Sequence, residues 1–315
     1  MRPRCIGSAH AEPRAARMIL ASASLRARIA PAWGGGVLRL DALTPQGAVP
    51  LLRACEFEPG PAPSAPGPDP NTLACYPLVP WSNRISADGF EFDGRRIELP
   101  RNRDDEPWPI HGSGWQRPWC VAHADAGEAI LVLDEDDASQ AYRYRAELHY
   151  RLREDRFEAR LSVVNTGPAA MPFGLGLHPF FVRDADTRLH APARQVWLND
   201  GHTPLPTQLA AIPEPWRFVE ERALPRDCID HAFVGWSGQA SVHWPRRRLR
   251  LDLAADAGNF VLFTPQDANF FCFEPVDHAI DAVHLPNGAA AHGMTVLAPG
   301  EGMQRRYRFT VRADG

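Results

Sequence analysis

An all-β fold, built as a large antiparallel β-sandwich, is what this sequence predicts. Three observations lead there: many short stretches that alternate apolar and polar residues with a period of two, turn residues between them, and very little helical periodicity. The chain has 315 residues, enough for one large β domain or two ordinary ones. Nothing in the composition shifts along its length, and no internal repeat of fixed period is present, so a single domain over residues 18–315 is expected. Residues 1–17 carry scattered arginine, proline and alanine without an apolar rhythm. They predict a disordered N-terminal extension, with Met18 as an alternative start of the chain.

Taken in order, Ile19 to Leu25, Arg26 to Ile29 and the run from Trp33 through Gly34-Gly35-Gly36 to Leu40 predict short strands around a glycine turn. Pro59 to Pro70 is too rich in proline for a helix interior or a central strand and predicts an exposed loop inside the domain. Gly89 to Pro100 alternates about Asp93-Gly94, the strongest local signal for a tight hairpin. Further strands are predicted at Ile130 to Asp134, Tyr142 to Leu152, Arg156 to Asn165, Arg247 to Leu253, Asn259 to Phe263 and Gln304 to Val311. Glu154-Asp155 is the turn between two of them.

Composition narrows the function classes. A net charge of -4, from 34 basic and 38 acidic residues, gives no general attraction to nucleic acid or to anionic membranes. No apolar run is long enough to cross a bilayer, and the N-terminus lacks the apolar centre of a signal peptide, so a cytoplasmic protein is expected. The six cysteines show neither a C-x-x-C pair nor a repeated metal-ligand spacing, and no two histidines form an H-x-H pair. Reduced thiols and no metal site recognisable by spacing are the expectation.

Four segments set polar residues among aromatics and glycines. In Tyr76-Pro-Leu-Val-Pro-Trp-Ser-Asn-Arg-Ile85, prolines fix the backbone ahead of Asn83 and Arg84. A guanidinium suits sugar hydroxyls because its planar fork presents several donors, although an arginine here serves equally as a structural ion-pair partner. Trp108-Pro-Ile-His-Gly-Ser-Gly-Trp115 places His111 among tryptophans, whose faces cover the C–H surface of a pyranose; a histidine satisfying a turn is the alternative. Met171-Pro-Phe-Gly-Leu-Gly-Leu-His-Pro-Phe-Phe181 embeds His178 in an apolar stretch, where it needs a partner, catalytic or structural. Asn269-Phe-Phe-Cys-Phe-Glu-Pro-Val-Asp277 buries one carboxylate, Glu274, in an aromatic strand. Desolvation raises the pKa of such a glutamate and makes it a better base near neutral pH. Asp230, in Cys228-Ile-Asp-His-Ala-Phe-Val, is a softer candidate that also fits a turn cap.

Together and in this order, Asn83-Arg84-Ile85 with the hairpin block to Pro100, the His111-Gly112 pair, Gly176-Leu-His-Pro-Phe-Phe181 and Phe271-Cys-Phe-Glu-Pro275 resemble the blocks of the aldose 1-epimerase (galactose mutarotase) family. The resemblance runs from about Trp33 to the C-terminal strand. It implies a galactose mutarotase-like β-sandwich, a cleft for an aldose on the concave face of a large sheet, and no metal or organic cofactor. It further implies Glu274 as general base, His178 as general acid, and Arg84, His111 and Asp230, with Asn83 beside them, as groups that hold sugar hydroxyls. One departure is plain: many family members have tyrosine where this chain has Phe180, which bears on sugar preference. The arginine-tryptophan pattern of the related hexose-6-phosphate mutarotases is absent near Tyr76 to Arg84, so an unphosphorylated aldose is expected. Two other classes fit some of the same residues. A glycoside hydrolase would pair Glu274 with Asp230, and a carbohydrate-binding module would use the aromatics without chemistry.

Overall fold

The computed structural model describes residues 18–56 and 68–314. The predicted N-terminal extension and most of the predicted proline-rich loop lie outside the described residues. Strands dominate, and the one α-helix among the described residues is the single turn Gly288–Ala291. The larger sheet has nine antiparallel strands, with Gly302–Ala313 near its middle, flanked by Arg156–Asn165 and Leu249–Ala255. The second, eight-stranded sheet centres on Asn259–Phe263 and Phe270–Val276. Beyond these, Asp230–Val234 and Gln195–Leu198 extend it on one side, and Gly176–Leu177 with Pro77–Leu78 on the other. The two sheets pack through alternate side chains: Phe181 of the second sheet meets Phe309 of the first, with ring centroids 5.8 Å apart, and the core runs without interruption from Leu20 to Val311.

Local sequence explains the elements. The hairpin Gly89–Phe92 and Arg95–Glu98 turns at Asp93 and Gly94, both at positive φ (50° and 69°), as a tight two-residue turn requires. Tyr144–Arg153 and Arg156–Asn165 are joined at Glu154-Asp155, and the latter strand has the predicted bounds, as does Asn259–Phe263. The predicted run Ile19 to Leu25 is instead broken after Met18–Ala21, because the Ser22 hydroxyl accepts the Leu25 N–H (3.0 Å) and turns the chain into Leu25–Ala30. On the solvent-facing side of the large sheet Arg160 faces His149 and Arg306 across neighbouring strands, whereas Glu135, paired with the core residue Tyr144, is buried and held by Arg117 (2.9 Å).

The eight-stranded sheet positions the candidate residues by parity. Successive side chains of a strand point to opposite faces. In Phe270–Val276, Phe271 and Phe273 enter the core between the sheets, so Cys272, Glu274 and Val276 face the other way. A separate cluster covers that face, formed by Tyr76, Phe180, Trp197, Val261 and Cys272 among others, with Trp33 and Phe270 packed at its edge.

Candidate active site

Register alone brings Glu274 and His178 together. Gly176 pairs with Val276 and Phe180 with Cys272, so the residue midway, His178, stands opposite Glu274. Continuing the row, Glu274 pairs with Val261, Val261 with Ala232 and Ala232 with Trp197, while on the far side the His178 N–H donates to the Tyr76 carbonyl (3.0 Å). An acid and a base are thereby set in the middle of a row whose other members are apolar or aromatic. Prolines 179 and 275, which have no N–H to donate, flank the pair, and the ladder between the two short strands is interrupted at His178-Pro179.

His178 Nε2 lies 3.3 Å from Glu274 Oε1, with both side chains buried. Tyr76 and Phe180 hold the imidazole through ring contacts at 4.6 and 4.5 Å, the second stacked, and His111 meets it edge-on at 5.1 Å. Burial pushes His178 down to about 3 and lifts Glu274 well above the carboxylate range, helped by the nearby Asp230 charge and opposed by Arg84. Both directions favour the neutral forms, a carboxylic acid beside a neutral imidazole. Glu274 Oε2 and His178 Nδ1 are buried without a hydrogen-bond partner, which in a folded core carries a desolvation cost.

The second half of the site is held differently. Asn83 and His111 are both at positive φ (57° and 61°) and bond reciprocally: the His111 N–H donates to the Asn83 carbonyl, and the Asn83 N–H donates to His111 Nδ1, each at 2.9 Å. With Nδ1 accepting, the ring proton of neutral His111 sits on Nε2, ready to donate. Burial, reinforced by His178, Arg84 and Arg103, keeps His111 well below the ordinary histidine value. Gly112 follows at φ 66°, and a Cβ there would lie 2.4 Å from Pro80 and 2.6 Å from the Val79 carbonyl, so only glycine lets this loop pack on the Pro80 segment.

Arg84 is clamped on two sides. Its Nε and Nη2 donate to Glu106 at 2.8 and 2.6 Å, and its Nη1 reaches Asn83 Oδ1 at 3.3 Å. A planar fork held by a bidentate carboxylate has a fixed orientation. Asp230, at the start of Asp230–Val234, feels Arg84 and is nevertheless lifted by burial to about 6. Downstream of Glu274, the chain itself anchors the Arg84 loop. His278 Nε2 accepts the Ser82 N–H (3.0 Å), its Nδ1 proton goes to the Ala279 carbonyl (2.8 Å), and Asp281 accepts from the Ser86 N–H and hydroxyl (3.0 and 2.7 Å). Gly174 makes room for His278, since a Cβ there would lie 2.1 Å from the ring.

Glu274, His178, Arg84, His111, Asn83 and Asp230 are thus brought to one region, directly or through the mutual influence of their charges. Glu106, His278 and Asp281 were not singled out by sequence reading. Glu106 sits in the acidic turn Asp104-Asp105-Glu106 that precedes the His111 segment, and its charge was the available signal. Cys272 is a further addition: the donor atoms of His178, Cys272 and Glu274 all lie within 4.8 Å of one another, a convergence that their separation in sequence hides. Phe180, the departure from the family's frequent tyrosine, stacks on His178, and the Arg53 guanidinium lies over its ring at 3.9 Å.

A buried carboxyl–imidazole pair on the aromatic-lined face of an antiparallel sheet sets the class of site, and comparison with known proteins gives the family. The model of the aldose 1-epimerase family matches residues 61–310, and the chain belongs to that family. It is 33% identical over 238 residues to the uncharacterized protein YphB of Escherichia coli K12, covering 72% of this chain and 80% of that one. A crystal structure from the same organism, of a candidate aldose 1-epimerase, superposes with a TM-score of 0.83 at 28% identity over 94% of this chain and 99% of that one. A galactose mutarotase-like protein from Clostridium acetobutylicum shares the fold, with a TM-score of 0.77 at 21% identity and 94% of each chain covered. The sandwich is therefore of the galactose mutarotase-like type. Among the described residues no helix is long and apolar enough to cross a membrane.

Proposed function

We propose that this protein interconverts the α and β anomers of a free, unphosphorylated aldose, with Glu274 as general base and His178 as general acid. The observation that carries the proposal is the buried Glu274–His178 pair, 3.3 Å apart in the centre of an aromatic-lined sheet face. Mutarotation needs a proton removed from the anomeric hydroxyl and another delivered to the ring oxygen. As Glu274 takes the first and His178 gives the second, the C1–O5 bond breaks and C1 becomes the free aldehyde. Rotation about C1–C2 presents the other face, and reclosure returns both protons to their origins. No reductant, oxidant or cofactor is required by this balance.

The protonation state fits the task. A neutral carboxylic acid beside a neutral imidazole holds one proton, and so does a carboxylate beside an imidazolium. The resting pair becomes the reactive pair by moving one proton across the gap, without exchange with bulk water. A polar substrate bridging the two groups would favour the charged arrangement and satisfy the unpartnered Glu274 Oε2 and His178 Nδ1 side. Arg84 and His111, with Asp230, would hold ring hydroxyls, and Asn83 would act by fixing both Arg84 and His111. A hydrolytic reading that pairs Glu274 with Asp230 leaves His178 without a role.

Polarimetry of freshly dissolved α-D-galactose and α-D-glucose tests the proposal. Faster relaxation to the same final rotation with the unaltered protein, lost in Glu274→Gln, is expected. Equal relaxation with and without protein for these and other free aldoses would refute it.

A further inference from the structure

We infer that the Glu274–His178 pair, together with Cys272, forms a site for a thiophilic divalent cation such as Zn²⁺, and that the cation competes with the sugar there. The competition rests on the proposed function; the metal site itself does not. Cys272 and Glu274 are two residues apart on one strand and so share a face, and His178 stands across from Glu274 by register. One sulfur, one imidazole nitrogen and one carboxylate oxygen, all from buried residues, lie within 4.8 Å of one another. This is the donor set that suits Zn²⁺: three protein ligands of mixed N, S and O type, with a fourth position for water.

One separation already matches what a cation needs, and the Cys272 sulfur lies within 4.8 Å of the other two donors. Two ligand atoms at about 2.05 Å from a tetrahedral Zn²⁺ stand about 3.3 Å apart, and His178 Nε2 and Glu274 Oε1 are already 3.3 Å apart. The unpartnered, buried Glu274 Oε2 points independently to a missing positive or donating partner. Hard cations have no such match, since Mg²⁺ and Ca²⁺ take oxygen ligands and a thiol is a poor one. Protons balance as follows. The Cys272 thiol loses its proton to form the thiolate ligand, the shared proton of the Glu274–His178 pair also leaves, and both go to bulk water as the cation enters.

Co²⁺ is the probe, because it reports a thiolate ligand through a near-ultraviolet charge-transfer band. Titrating the full-length protein with Co²⁺ should raise that band, Zn²⁺ should abolish it, and Mg²⁺ should leave it unchanged. Calorimetry with Zn²⁺ in two buffers of different ionisation enthalpy should show about two protons released per cation. The band should disappear in Cys272→Ser, checked for folding by near-ultraviolet circular dichroism. If that variant does not fold, Glu274→Gln decides: at least a tenfold loss of Co²⁺ affinity supports the site. No band, a band that survives in folded Cys272→Ser, or unchanged affinity in Glu274→Gln overturns it. Zn²⁺ should raise the apparent KM for the aldose and leave kcat unchanged. A band in a protein that accelerates no sugar supports the metal site while removing the mutarotase reading, and mutarotation without a band does the reverse.

Discussion

The two halves of the site are built on opposite terms. Around Arg84, the main charged and polar groups are paired: Glu106 and Asn83 for the guanidinium, the Asn83 backbone for His111, and His278 and Asp281 for the loop. Around Glu274 and His178, desolvation dominates and two polar atoms are left without partners. One half is therefore a rigid template, organised before any ligand arrives. The other stores its unsatisfied valence for the ligand. The proposed acid–base transfer would gain from this division, with orientation fixed by paired groups and reactivity by unpaired ones.

If the contrast is right, changes in the unpaired half should hit the chemical step hardest. Glu274→Gln and His178→Gln should each lower kcat for mutarotation by about 10² to 10⁴. The double variant should be little worse than either single one, because the two groups act as a unit. Stopped polarimetric or coupled assays that find additive losses would show the two acting separately.

The pH profile of kcat/KM sharpens the same point. Activity needs one proton on the pair. With His178 pushed down to about 3, addition of the second proton occurs only at low pH, so the acid limb should lie far below the value of about 6.5 for free imidazole. With Glu274 raised, loss of the last proton should set an alkaline limb above the ordinary carboxylate range. An acid limb centred near 6.5 would mean that His178 titrates as a solvated histidine and would break the comparison.

In the paired half, Glu106→Gln removes the charge and one acceptor that hold the Arg84 fork. KM should rise by about tenfold, in line with roughly 1–2 kcal/mol for a charge-assisted contact, with a smaller change in kcat. An equal fall in kcat with KM unchanged would place Glu106 in the chemical step. Replacing His278 by alanine breaks two buried hydrogen bonds and should cost about 2 kcal/mol or more in thermal or denaturant unfolding. Because His278 is lowered to about 4, its contribution is complete above the unfolded value near 6.5 and fades as pH falls toward 4. The variant should therefore lose part of the acid sensitivity of the melting curve. Phe180→Tyr should have the smallest effect, a change of a few fold in preference between epimeric sugars, read from ratios of kcat/KM.

Much of this was legible in the sequence, and the limit falls where register begins. Alternation located Arg156–Asn165 and Asn259–Phe263, and Asp93-Gly94 located its hairpin, because these features are fixed by neighbouring residues. The motif blocks pointed to Glu274, His178, Arg84, Asn83, His111 and Asp230. Glu106 and Cys272 were different. A carboxylate in an acidic turn and a cysteine in an aromatic strand look ordinary until the fold sets one against Arg84 and the other beside His178. His278 illustrates the same limit: a histidine after Asp277 carries no local sign that its ring will reach Ser82, 196 positions away.

The stretch from Glu274 to Asp281 acts as a ruler. It carries the proposed base at one end and, at the other, the groups that tie down Ser82 and Ser86 on either side of Arg84. The span between the proposed base and the Arg84 loop is thus set by covalent chain length. Such an arrangement separates two kinds of inheritance. On the proposed function, changes at Trp197, Arg53 or Phe180 would retune which sugar fits, while an insertion or deletion within these eight positions would shift the base and the Arg84 loop against each other at once.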